Sequence, residues 1–296
     1  MDGVLVVDKP AGMTSHDVVA VVRRAAGQRR VGHAGTLDPD ATGVLIVCLG
    51  KATRLASYLQ ASTKIYDARV RLGVETTTLD ASGEVTVERD ASAVDEGALC
   101  EALKGFVGQI EQVPPMVSAV KVGGERLYRK ARRGEVIERS PRSVRIHDIV
   151  LEDFEPGPRA EAAFLITCSS GTYVRTLAAD VGQQLGVGAH LVALRRLGSG
   201  RFSLEDAVDL NKVVELGSQG RLAEALLTPA QAVADYPSVT VDAESAYAVG
   251  NGRPLNKTGI PGPVAVLDET GRLLAMVCDR DGKARPLTVL AGTGDG

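Results

Sequence analysis

Val31-Gly32-His33-Ala34-Gly35-Thr36-Leu37-Asp38-Pro39-Asp40-Ala41-Thr42-Gly43 runs without a break into Val44-Leu45-Ile46-Val47-Cys48-Leu49. Glycines at 32, 35 and 43 together with Pro39 exclude a long helix or a clean strand in the first part. The second part is continuously apolar and rich in branched residues, the pattern of a strand buried on both faces. A loop anchored to such a strand can hold a reactive side chain in place, and Asp38 and His33 are the candidates. Asp38-Pro39 reads equally well as an ordinary turn starter.

Outward from this stretch, Val4–Val7 reads as a strand ending at Asp8-Lys9-Pro10, and Ser15 can cap a helix. Val18, Val22 and Ala25 share one face of that helix, with Arg23 and Arg24 in its last turn and Gly27 beyond it. From Tyr66 to Leu72 the pattern alternates strictly, with Tyr66, Ala68, Val70 and Leu72 on the apolar face. Tyr66 there fits a core tyrosine with a satisfied hydroxyl. A second helix is predicted from about Thr172, with Val174, Leu177, Val181 and Leu185 as its buried stripe. Arg175 lies off that stripe near the positive end of the helix dipole, where a cation needs a carboxylate or phosphate partner unless it is simply solvated. Asp80 to Asp95 reads as a polar surface excursion. Strands and helices mix without a βαβ rhythm, which indicates an α+β class.

The 296 residues fit about two domains, and a boundary near Asp235 separates a small β-rich module from the rest. In that module Asp242 and Glu244 open a short helix closed by Gly250-Asn251-Gly252. Strands then follow at Val264–Leu267, Arg272–Val277 and Arg285–Leu290, with turns at 268–271 and 279–282. No apolar run is long enough to span a bilayer. The four scattered cysteines and the absence of a basic, apolar leader indicate reduced thiols in the cytoplasm. The net charge is −3, so a nucleic-acid surface has to be local. Residues 113–145 supply one: nine cations (Lys121, Arg126, Arg129, Lys130, Arg132, Arg133, Arg139, Arg142 and Arg145) against Glu125, Glu135 and Glu138. A solvated charged face is the plainer reading of such a run, and the one-sided sign argues against it. The chain has no P-loop, dinucleotide fingerprint, H-E-x-x-H or G-x-S-x-G, and its histidines lack metal-ligand spacing, so no metal or cofactor is expected. Asp38 and Asp40, two residues apart across Pro39, are poorly placed to flank one glycosidic bond as a glycosidase pair.

Gly32 to Leu45, G-H-A-G-T-L-D-P-D-A-T-G-V-L, resembles the catalytic motif of the bacterial tRNA pseudouridine-55 synthases, the TruB family. Asp8-Lys9-Pro10-Ala11-Gly12-Met13-Thr14-Ser15 is similar to its opening motif, and Lys64-Ile65-Tyr66 to the strand carrying its active-site tyrosine. Ser170 to Thr176 and Ala189 to Leu197 resemble its two later motifs, in the family's order. The resemblance implies a pseudouridine-synthase fold: a central mixed, largely antiparallel sheet flanked by helices, with an inserted thumb loop at about 113–145. It also implies a small C-terminal PUA-like RNA-binding domain at 235–296 behind a catalytic domain at 1–234.

The implied reaction turns a T-loop uridine of tRNA into pseudouridine after the base is flipped out of its stack. By resemblance Asp38 is the essential carboxylate, Arg175 its cation and Tyr66 the residue against the uracil. Leu194 closes the apolar side, and His33 fills the space the base leaves. Lys9, Pro10, Gly35, Thr36 and Tyr173 are further expected substrate contacts. Lys121, Arg126, Arg129, Lys130, Arg132 and Arg133 are expected thumb contacts to RNA, which makes binding salt-sensitive. Whether Asp38 attacks C1′, attacks the uracil ring or removes a ribose proton stays open. Met116-Val117-Ser118-Ala119-Val120-Lys121 departs from the family's Met-Tyr-Ser-Ala-Leu-Lys at Val117. The expectation is a cytoplasmic, stand-alone, monomeric enzyme that needs no guide RNA or protein partner. A tRNA-folding chaperone without turnover and a guide-RNA-dependent synthase are the alternatives.

Overall fold

Thr42–Leu49 lies inside the molecule with apolar side chains packed on both faces, as its unbroken aliphatic run requires. A computed structural model describes residues 1–115, 121–122, 125–126 and 139–290. The main sheet contains β1 (Gly3–Lys9), β2 (Val31–His33), β3 (Thr42–Leu49), β4 (Lys64–Leu72) and β5 (Gly108–Gln112). It continues with β6 (Arg142–Glu155), β7 (Glu161–Cys168), β8 (Ala189–Ser199) and β9 (Val208–Asp209). Their order is β9-β1-β3-β8-β4-β7-β6-β5, with β2 paired to β3 and the short strand Phe202–Ser203 to β8. Only β1–β9 and β3–β8 are parallel among these pairs, so the sheet is mixed and largely antiparallel.

Among the described residues four helices cover one face: α1 (Ser15–Ala25), α2 (Glu96–Lys104), α3 (Val174–Gln184) and α4 (Leu210–Ser218). Val18, Val22, Leu99, Val174, Leu177, Val181 and Val213 meet the inward residues of β1, β3 and β4 there. The opposite face of β1 and β3 presents Val4, Val6, Val44 and Ile46. These pack with Leu55, Phe202 and Val233, and with Ala265, Leu273, Met276 and Leu290 of the C-terminal module. That module is a curled sheet of β10 (Ser238–Thr240), β11 (Leu255–Asn256), β12 (Val264–Leu267), β13 (Leu273–Arg280) and β14 (Lys283–Val289), in the order β10-β12-β13-β14-β11. It keeps a core of its own around Val249, Val264, Val266, Leu274 and Val277.

Several local expectations shift. Thr14, not Ser15, caps α1 in a capping box with Asp17, and Ser15 is buried in the first turn. The second predicted helix starts at Val174, behind an N-terminal Tyr173 that makes no side-chain cap. The turn placed at 279–282 contracts to Asp281-Gly282, both at positive φ, because β13 and β14 pair up to Arg280 and Lys283. Strands β10 and β11 are too short to have shown a period.

β5 and β6 pair from Gly108–Ile146 to Gln112–Arg142, so the basic segment leaves and rejoins the sheet at one point. Lys121–Val122 and Glu125–Arg126 form a short antiparallel pair within it. Arg129, Lys130, Arg132, Arg133 and Val117 lie outside the described residues.

Gly43 is where β3 meets both neighbours. It sits opposite Lys9 of β1 and Arg196 of β8, at φ +99°. A Cβ added there would fall 2.2 Å from the Arg196 carbonyl oxygen. Gly43→Ala is therefore expected to lower the melting temperature by several degrees and to disturb the loop before β3. Thermal denaturation checks this, and an unchanged melting temperature contradicts it.

Candidate active site

The loop from Ala34 to Ala41 is held along its backbone by side chains from three other elements. Arg196 of β8 donates from Nη2 and Nη1 to the carbonyls of Gly35 and Thr36, each at 3.3 Å, and from Nε to Val44 at 2.7 Å. Ser15 Oγ exchanges two hydrogen bonds with Leu37, accepting from its N–H at 2.9 Å and donating to its carbonyl at 3.1 Å. Lys9 Nζ donates to the carbonyls of Pro39, Pro10 and Met13. The Ala41 N–H closes a turn on the Asp38 carbonyl at 3.2 Å. The turn reading of Asp38-Pro39 is thus correct as local structure, and the turn aims the Asp38 side chain outward into a cleft.

That cleft has a volume of about 340 Å³. Asp38, Tyr66, Arg175 and Leu194 line it, with Gly35, Thr36 and Tyr173 from the expected set. Arg175 is not a solvated arginine: its side chain is 4% exposed. Its Nε and Nη2 reach the two oxygens of Asp38 at 2.9 and 3.1 Å, a two-pronged contact. Its Nη1 reaches Asp80 at 3.2 Å and the Thr78 carbonyl at 3.2 Å. The cation at the start of α3 therefore has the carboxylate its position demands, and a second one behind it.

The excursion from Asp80 accordingly is not wholly a surface feature. Asp80 accepts hydrogen bonds from Thr78 Oγ1 and Ser82 Oγ at 2.6 Å each. Backbone bonds between Leu79, Ala81 and Leu191 tie this turn to β8, and Leu79 takes a left-handed φ of 63°. Desolvation in the cleft pushes the Asp38 carboxyl above its usual range. The Arg175 charge opposes that rise, and Asp80 adds to it.

Lys9, Pro10 and His33 do not line the cleft. Lys9 is fully buried, with its amine spent on loop carbonyls, and burial lowers it to about 8. Its amine holds the loop backbone. Pro10 is exposed. His33 ends β2, with its ring edge-on to His16 at 5.1 Å between centroids.

Three cleft or supporting residues carried no assigned role in the sequence. Lys64 and Arg196 line the cleft, and Asp80 supports it. Lys64 was detectable: it continues the apolar face of β4 two residues before Tyr66, an amine where the pattern demands a buried side chain. Gln112, at the root of the basic segment, brackets the backbone of Tyr173, accepting from its N–H and donating to its carbonyl.

A family model described as the TruB family pseudouridylate synthase N-terminal domain matches residues 23–174. Two further models match 175–233, the tRNA pseudouridylate synthase B C-terminal domain, and 236–291, tRNA pseudouridine synthase II, C terminal. The chain belongs to the TruB family of pseudouridylate synthases. A tRNA pseudouridine synthase B of Thermobifida fusca is 48% identical over 297 residues, covering 99% of both chains. One from Symbiobacterium thermophilum is 54% identical over 252 residues, covering 85% of this chain and 82% of its own. Among solved structures, a Cbf5-Nop10-Gar1 complex contains a chain 28% identical with a TM-score of 0.76, covering 98% of this chain and 85% of its own. An H/ACA RNP bound to a substrate RNA containing 2′-deoxyuridine contains one 26% identical at 0.74, covering 97% and 84%. Among the described residues no helix is long and apolar enough to cross a membrane.

Asp80→Asn removes the negative charge that raises the Asp38 pKa. The ionised Asp38 then survives to lower pH, so the acid limb of a TruB-type activity moves downward. Loss of one tether on Arg175 should also slow turnover about tenfold or more. A pH–rate profile of the variant checks both, and an acid limb that stays put or moves up contradicts the geometry.

Proposed function

We propose that this TruB-family synthase isomerises the T-loop uridine at tRNA position 55, with Asp38, Arg175 and Tyr66 as its catalytic set. The observation that carries the reading is the two-pronged Asp38–Arg175 contact in the lining of a cleft large enough to receive a flipped nucleotide. The N1–C1′ bond breaks, the uracil turns while held, and C5 bonds to C1′ and releases its proton. Each route open to Asp38 needs an ionised carboxylate beside the sugar, and Arg175 favours that form. Tyr66, buried against the same cavity and pushed up by burial, stays a neutral phenol able to relay a proton. Leu194 closes the apolar side and Tyr173 the rim. His33, on the short strand beside the loop, offers a ring to the bases left behind.

The division of labour follows the domains. Residues 1–234 carry the chemistry, and 113–145 close over the T arm, with Lys121, Arg126, Arg129, Lys130, Arg132 and Arg133 meeting phosphates. Residues 235–296 form the PUA-like domain that grips the tRNA beyond the T loop. The protein acts in the cytoplasm as a monomer, without guide RNA or protein partner. A relative named for tRNA, matched over 99% of both chains at 48% identity, supports that reading over the Cbf5-Nop10-Gar1 complex and the H/ACA RNP, matched at 26–28%.

Unmodified tRNA transcript labelled with tritium at C5 of uridine tests the reaction. The expected result is one tritium released per tRNA, lost when the T-loop target is changed and lost in Asp38→Asn, which still binds tRNA. Tight binding without release by the wild-type protein favours a folding chaperone or a guide-dependent enzyme. Appreciable turnover by D38N removes Asp38 from its role.

A further inference from the structure

The cleft holds two kinds of charge. Asp38 is paired with Arg175, which also holds Asp80. Two further cations, Lys64 and Arg196, line the cleft, and their residues are 4% and 1% exposed. Lys64 Nζ donates to the carbonyls of Gln60 and Ser62 and to Ser62 Oγ, at 2.8–3.1 Å. Arg196 donates to the carbonyls of Gly35, Thr36 and Val44 and is hydrogen-bonded to the Tyr66 phenol. Among the described residues, every hydrogen bond from either cation therefore ends on an uncharged oxygen. The neighbouring acids are neutral as well. Cys168, opposite Lys64 in the sheet, is pushed by burial up to about 11, and the buried Tyr66 phenol, opposite Arg196, is also pushed up.

Burying a cation without a counter-charge is costly, as the lowering of Lys64 to about 8 by burial and by Arg196 shows, so two side by side mark a place where negative charge arrives. We infer that Lys64 and Arg196 form a positive wall that stabilises the negative charge developing on the uracil ring during the isomerisation. This rests on the reading of the cleft as a pseudouridine synthase site. When N1–C1′ breaks, its electron pair leaves with the base and the sugar carbon becomes electron-poor. If the carboxylate adds to the ring first, the ring likewise takes up the electron pair. In either route the base gains negative charge. That charge is returned when C5 bonds to C1′, C5 gives up its proton and N1 takes one. The wall is formed before substrate enters, because Arg196 is fixed by the loop it holds and Lys64 by the Gln60–Ser62 turn. Fixed charge of this kind favours the transition state over the neutral ground state.

Lys64 is the residue to test, since replacing Arg196 also releases the catalytic loop. Full-length Lys64→Met and Lys64→Arg proteins are compared with wild type in single-turnover reactions, following consumption of the target nucleoside. Two tRNA transcripts are used, with uridine or with 5-fluorouridine at the target. Fluorine withdraws electrons, so that ring carries negative charge with less help. K64M is expected to slow the uridine reaction tenfold or more at unchanged tRNA affinity, and K64R to restore most of the rate. The K64M penalty should shrink severalfold on 5-fluorouridine. Where K64M does not fold, Lys64→Gln carries the same comparison. An equal penalty on both bases makes Lys64 a structural clamp and overturns the inference. Weakened tRNA binding at an unchanged rate overturns it too, by making Lys64 a phosphate contact. Loss of activity in the wild-type protein itself overturns the reading of the cleft instead.

Discussion

The positions of the reacting groups depend on how the Gly35–Pro39 backbone is held. A loop containing Gly35, Pro39 and Gly43 has little intrinsic structure. Here the carbonyls of residues 35, 36, 37 and 39 each receive a hydrogen bond from a buried side chain. The donors come from β8, α1 and β1, so the loop is fixed only when the sheet and its first helix are assembled. Buried donors without partners would cost roughly 1–3 kcal/mol each, more for the two cations, and this makes loop order and fold stability one property. Asp38 gains a defined direction from that, which a solvated loop could not give it.

Charge placement completes the arrangement. Arg175 approaches from the first turn of α3, where the helix dipole alone would oppose a cation, and two carboxylates reverse that balance. Lys64 and Arg196 also line the cavity, where no carboxylate reaches them among the described residues. The cleft thus holds a carboxylate together with a pair of cations. A reaction that separates charge between sugar and base suits that combination better than one that merely binds a neutral nucleoside. The same β1–β3 pair that supports the loop on one face carries the C-terminal module on the other, through Val44, Ile46, Ala265 and Met276. Tyr173, at the cleft rim, is bracketed by Gln112, the residue at which the basic segment leaves the sheet.

Much of this was legible in the residues. The unbroken Val44–Leu49 run gave a two-faced buried strand, and the alternation from Tyr66 to Leu72 gave the inward face of β4, beyond β8 in the same sheet. Arg175 was conspicuous because its helix position needed a partner, and Asp38 was conspicuous for its loop. Asp80 was not legible. It sits in a polar turn with no period, and only the backbone pairing of Leu79 and Ala81 with Leu191 brings it under Arg175. Ser15 was misjudged because two adjacent hydroxyls, Thr14 and Ser15, can both cap a helix, and tertiary contact with Leu37 separates them. Lys9 looked like a substrate contact, but chain direction alone cannot show that its amine turns inward to Pro39. The short strands of the C-terminal module fell below the length at which alternation can be read.

The most direct test of this account is the single-turnover rate of Arg175→Met on unmodified tRNA, with tRNA affinity measured beside it. Arg175 touches both carboxylates and is not among the residues that hold the loop, so its loss should leave the fold and the loop in place. The expected rate is lower by more than about a hundredfold, with affinity essentially unchanged. A rate within a few-fold of wild type would contradict it. Asp38 would then work without its cation, and the fork in the lining of the cleft would be structural.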